Sequence, residues 1–190
     1  MTNLLKNITT LHSGYTIRQK IENDPEGESR LIQFRDVSPK GINPESPIKI
    51  KGGKLPQKHF LGYGDVLFLA KGNPNFAIPY GKEFSSAIAS SSFTILRIEN
   101  EEILPEYLAW YINQPKAQHF IKERSGGNYI TSITKKELGE LPISILPKEK
   151  QRKIVHISNL QQKAENLYEK LKEKERKLVQ KQLMDYVEKV

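Results

Sequence analysis

Cysteine is absent from the 190 residues, so the chain can form neither a disulfide nor a thiolate metal site. Histidine is scarce: His12, His59, His119 and His156 are the four, and no two are spaced like a ligand pair. No stretch approaches the roughly 18 apolar residues of a membrane span. The opening MTNLLKNITT lacks the apolar centre of a signal peptide. These absences point to a soluble, cytoplasmic protein with no membrane partner.

Familiar catalytic signatures are missing as well. There is no P-loop pattern, and Gly62-Tyr63-Gly64 precedes a predicted strand, whereas a dinucleotide loop opens a helix. Asn73-Pro74-Asn75-Phe76 comes near the Asn-Pro-Pro-Phe motif of amino-methyltransferases. Its third position differs, and no glycine-rich cofactor loop follows an early strand. Glu175-Arg176-Lys177 has the Glu-x-Lys spacing of some nuclease sites but sits in a densely charged helical stretch, where a solvated helix face explains it. No nucleophile is paired with a base. The reading assigns no catalytic residue, no metal and no cofactor.

What is present is positive charge. The chain carries 30 Lys and Arg against 22 Asp and Glu, a formal net charge of +8. Such a surplus suits a polyanionic partner, because lysine and arginine replace the counterions condensed on phosphates. Hydrophobic residues make up 37%, which supports a folded core.

The patterning predicts an α+β protein: a β-rich, mixed or antiparallel domain with short helices over 1–146, then a long helix over 147–190. "RLIQFRDVS" (30–38) alternates as a strand. Residues 39–64 are rich in proline and glycine and suit loops and short edge strands, with "PIKIK" a candidate strand. "GDVLFLAKG" (64–72) is a compact apolar run between turn residues, hence a buried strand. "AIASSSFTILRIEN" (87–100) gives one more. Pro105 and Pro115 open two helices, since a proline in the first turn forgoes an N–H that would be unpaired anyway. Thr134 and Glu137 form a capping box ahead of a short helix to Gly139.

After Pro147 no further proline occurs. Ile157, Leu160, Ala164, Leu167, Leu171 and Leu178 follow alternating steps of three and four, with a gap at Lys174. That is a heptad seam, narrower than the stripe of a core helix. The rest of the segment is charged, with twelve basic and seven acidic side chains from position 148 onward. So narrow a seam on so polar a helix calls for a partner helix.

The loops carry Lys71, Asn73 and Asn75 after one strand, Ser90, Ser91 and Ser92 before another, and Arg124, Asn128, Tyr129, Thr131, Lys135 and Lys136 after a helix. These residue types bond phosphates and base edges, although each also suits ordinary turn chemistry. The candidate DNA contacts are Lys71, Asn73, Asn75, Ser91, Arg124, Tyr129, Lys135 and Lys136.

Four segments occur in order: "GDVLFLAKGN", "SSSFTILRI", "LPEYLAWYINQP" and "GGNYITSITKKELGELPISILPKEKQRKI". Together they resemble the DNA-specificity (S) subunit of type I restriction-modification systems. The match covers about 30–160, carries Lys150-Gln151 where Glu-Gln is usual, and is poor over 1–29. The resemblance implies a non-catalytic subunit whose target recognition domain reads one half of a bipartite duplex DNA site. It implies a conserved-region helix that acts as a coiled-coil spacer and docks methyltransferase subunits, with restriction subunits as further partners. S-adenosylmethionine would be bound by those partners. Family members usually hold two recognition domains and two helices in about twice this length, so the chain looks like a half subunit or a truncated product, and its seam suits a homodimer with twofold symmetry. The alternative is an assembly module that pairs with other S polypeptides through its helix and does not itself read DNA.

Overall fold

In the computed structural model, residues 2–16, 22–51, 55–81, 83–126 and 132–188 are described. The chain divides into two compact units, Met1–Arg152 and Lys153–Val190. Among the described residues of the first, eleven short strands form four sheets. They are β1 (Thr2–Leu4), β2 (Thr9–Ser13), β3 (Ser29–Ile32), β4 (Val37–Ser38), β5 (Gly41–Ile42), β6 (Ile48–Ile50), β7 (Val66–Leu69), β8 (Ala77–Pro79), β9 (Ala87–Ala89), β10 (Phe93–Ile98) and β11 (Pro142–Ser144). Helices α1 (Pro105–Ile112), α2 (Pro115–Arg124) and α3 (Lys135–Gly139) follow β10, and α4 runs Lys148–Val187. The architecture is the expected α+β one.

The central sheet has the order β2-β10-β7-β8 and is antiparallel throughout. Its middle strand β7 explains the unbroken run Val66-Leu67-Phe68-Leu69, all of it fully buried. Val66 and Phe68 enter one core with Leu108 and Ile112 of α1, Ile121 of α2 and Leu138 of α3. Leu67 and Leu69 enter the other, with Ile32, Ile78, Tyr80, Phe93 and Ile95. A strand covered on both faces needs no polar alternation. The second sheet, β6-β3-β9, mixes an antiparallel pair with the parallel pair β3 and β9.

Two sequence expectations are corrected. The strand expected over 30–38 is broken after Ile32 by a 3-10 turn, Phe34–Asp36, because the Gln33 and Asp36 side chains cap each other's backbone. The segment expected to hold one strand over 87–100 holds two in different sheets, β9 and β10, separated by a turn at Ser91-Ser92. The N-terminus supplies β1 and β2, and β1 pairs with β11, Thr2 opposite Ser144.

The two proline-started helices and the capping box stand where the sequence places them. Glu137 N–H donates to Thr134 Oγ1 at 3.2 Å and Thr134 N–H donates back to Glu137 Oε2 at 3.0 Å.

The first unit extends to Arg152, past the expected boundary at Pro147. Gln151 accounts for the difference. It is fully buried. Its Oε1 accepts from Leu104 N–H at 2.9 Å, and its Nε2 donates to the carbonyls of Glu102 at 2.7 Å and Leu146 at 2.6 Å. The first turn of α4 thus completes the domain. Beyond it, α4 reaches 40 residues in all, about 60 Å at 1.5 Å per residue.

Candidate nucleic-acid interface

One end of the first unit is built from the loops that leave β7, β9, α2 and the approach to α3. Ala70 and Lys71 both donate their N–H to the Ser92 carbonyl, at 2.9 and 3.1 Å. Ile133 N–H donates to the Ala70 carbonyl at 3.2 Å, and Lys71 bridges Ser132. Gly126 and Ser132 exchange two backbone bonds of 3.0 Å. Ser90 N–H reaches the Ile32 carbonyl at 2.9 Å, which brings the end of β3 alongside. Segments far apart in sequence are therefore laced together by their backbones.

Most of the sequence candidates fall on this end. Lys71, Asn73, Lys135 and Lys136 are exposed and Ser91 is half-buried. Arg124 ends α2 with its guanidinium carbon 3.7 Å from the Phe120 ring centroid, a stacked geometry that presets its orientation. It also approaches Glu123 at 3.7 Å. Tyr129, with Asn128 and Thr131, lies outside the described residues.

Asn75 is placed differently from the others. It is 8% exposed, and its Nδ2 donates to the Leu69 carbonyl at 2.9 Å. That inward bond shapes the loop which carries Lys71 and Asn73. Ser90 is likewise buried.

His12, on the edge strand β2, has its pKa lowered first by burial and then by Arg97, with Lys135 and Lys58 adding to the effect against an opposing pull from Asp65. Three cations thus bear on one imidazole. Arg97 itself is held by Asp65, with N–O distances of 3.0 and 2.9 Å, and that hydrogen-bonded carboxylate raises its pKa further. The acidic Glu137 is occupied by its cap, and its pKa is lowered first by the Thr134 hydroxyl and then by the Thr134 N–H.

The sequence reading did not single out Phe34, Arg35 or Lys58 and His59. Phe34 was absorbed into a predicted strand. His59 sits beside β2, its Nδ1 3.2 Å from the Ser13 carbonyl and its ring edge-on to Tyr15.

Among the described residues no three His, Cys, Asp or Glu side chains are grouped to share a metal ion. No buried side-chain nitrogen or oxygen among them lacks a partner. The exposed groups at the loop end include cations, amides and hydroxyls, which can bind phosphate and base edges.

In the second unit Ile157, Leu160, Leu167, Leu171 and Leu178 are all more than half exposed, and Ala164 is exposed too. Tyr168, Val179, Leu183, Met184, Tyr186 and Val187, outside the predicted seam, are also exposed. No helix among the described residues is long and apolar enough to cross a membrane.

No protein-family model and no curated protein matches the chain. Solved structures do. The S subunit of the type I restriction-modification system from M. genitalium superposes with a TM-score of 0.60 at 17% identity, covering 88% of this chain and 40% of that one. The HsdS subunit from Thermoanaerobacter tengcongensis gives 0.60 at 18% identity, covering 88% and 43%. A chain from a structure describing complex assembly and conformational transition of the type I restriction-modification system gives 0.59 at 18% identity, again covering 88% and 43%. The chain has an S-subunit-like fold and spans less than half the length of these structures.

Proposed function

We propose that the chain acts as a DNA-specificity subunit of a type I restriction-modification complex. The first unit reads one half of a bipartite duplex target. The chain is non-catalytic and binds no cofactor, and it positions methyltransferase and restriction subunits that carry the chemistry. What supports this reading is an S-subunit-like fold together with the backbone-laced loops on or beside which Lys71, Asn73, Ser91, Arg124, Lys135 and Lys136 stand. Lysines there suit phosphates, and Asn73 and Arg124 suit base edges.

The exposed seam of α4 supports pairing with a second copy. Two such chains would supply two recognition units related by a twofold axis, and therefore two inverted half-sites. The same seam favours the second reading, an assembly module that pairs with other S polypeptides and leaves DNA reading to them.

Co-purification with a type I methyltransferase subunit, followed by gel shifts of the complex on a duplex panel across salt concentrations, tests the proposal. One preferred sequence family and a steep salt dependence support DNA reading. Assembly without any sequence preference would instead leave the pairing module.

A further inference from the structure

The loop end presents one side chain that neither charge nor turn chemistry explains. Phe34 is 50% exposed, and Tyr63 is the only other large apolar side chain exposed in the first unit among the described residues. Tyr63 belongs to the turn that enters β7, at the opposite end of that strand from Lys71.

Phe34 stands on a fixed base. Asp36 is 2% exposed, and its carboxylate accepts from Gln33 N–H at 2.7 Å and from the Ser46 hydroxyl. Its carbonyl accepts from Asn43 N–H at 2.9 Å. The ring lies against Gly72, where an added Cβ would sit 3.5 Å from Phe34 Cε2 and only 2.8 Å from Leu69 Cδ2. Gly72 stands between Lys71 and Asn73. Arg35, whose side chain is 64% exposed, approaches Asp36 at 3.8 Å, and the Asp36 oxygens are already engaged by Gln33 and Ser46.

An exposed apolar ring next to Arg35 in sequence and against Gly72, the neighbour of Lys71, does not suit an apolar protein surface, which offers neither cation an anionic partner. It suits a polyanion that offers apolar groups between its phosphates. Duplex DNA does so in the major groove, where thymine presents its 5-methyl group. A half-exposed ring on a three-residue turn is a contact surface, too short to wedge between base pairs.

Resting on the DNA-reading function above, we propose that Phe34 is a specificity-determining residue and that Arg35 beside it is a phosphate anchor. Phe34 packs on the 5-methyl group of a thymine in the half-site, and Arg35 holds the neighbouring phosphate.

The test uses the chain in complex with its methyltransferase subunit. Binding is compared on the mapped site and on the same duplex with uracil replacing each thymine in turn. For the unaltered chain, one position per half-site should lose about fourfold in affinity, as expected for one buried methyl-sized group. Phe34→Ala should bind the thymine and uracil duplexes equally, and Phe34→Leu should keep part of the difference. Arg35→Ala should lower the salt slope by about 0.9 without changing base preference. A Phe34→Ala chain that keeps the full thymine preference overturns this contact and leaves DNA reading standing. An unaltered chain with no sequence preference overturns both.

Discussion

Gln151 is a single side chain on which the start of the long helix depends. Replacing it by Leu keeps the volume and removes three hydrogen bonds at once. The Leu104 N–H, at 2.9 Å, and the carbonyls of Glu102 and Leu146, at 2.7 and 2.6 Å, would be left facing a methyl branch. The site is fully buried, so water cannot replace the lost partners without opening the junction. An unsatisfied buried donor or acceptor costs about 1–3 kcal/mol, and carbonyls tolerate it better than an N–H. With partial relaxation, we expect a total of about 2–4 kcal/mol. For a domain of this size 1 kcal/mol moves the midpoint by about 2–4 °C, so Tm should fall by roughly 4–16 °C. Thermal unfolding followed by tryptophan fluorescence reads the first unit through Trp110, the only tryptophan in the chain. Hydrogen exchange at the Leu104 amide should accelerate in parallel. An unchanged midpoint together with unchanged Leu104 protection would refute the anchoring role.

Other outcomes follow from the remaining features. Leu167→Asp with Leu171→Asp would put charge into the proposed seam at a cost of several kcal/mol, and sedimentation at tens of micromolar should show monomer where the unaltered chain pairs. An unchanged oligomer would rule the seam out. Lys135→Ala with Lys136→Ala should weaken binding to all duplexes and reduce the salt slope by up to about 2, whereas a shift in preferred sequence would place these lysines on bases. His12 has a folded pKa below its unfolded value of about 6.5, so the unfolded chain takes up the proton first and stability falls as pH drops through that value. His12→Asn should reduce the loss of urea midpoint between pH 7 and 5 relative to the unaltered chain, and identical pH profiles would refute the linkage.

What the sequence reveals follows from how local each signal is. The strand β7 is legible because both its faces are buried, which leaves a run of four apolar residues between turn residues. The α3 cap is legible because its partners lie three residues apart. Strands β1 and β2 are not, since their polar sequences TNL and TTLHS are held by partners at the far side of the chain, Pro142–Ser144 and Phe93–Ile98. The break after Ile32 depends on Gln33 and Asp36 capping each other, and alternation alone conceals it.

At the candidate site, residue type located the loops and failed to give side-chain direction. Asn73 and Asn75 are two residues apart and chemically identical, yet one is exposed and the other is turned to the Leu69 carbonyl. Gln151 reads as one more polar residue in a solvated helix until its three backbone partners, from 5 to 49 positions away, are brought against it. Phe34 reads as one apolar position of an alternating strand, and the turn at 34–36 is what leaves it half exposed.

The decisive measurement is a map of the modified bases in DNA from cells that express this chain with its methyltransferase subunit and no other S polypeptide. Two identical recognition units on a twofold axis should yield an interrupted palindrome: two inverted half-sites separated by a spacer of fixed length whose sequence is not read. Modification at an asymmetric site would contradict the homodimer, and the absence of any modified motif would contradict DNA specificity itself.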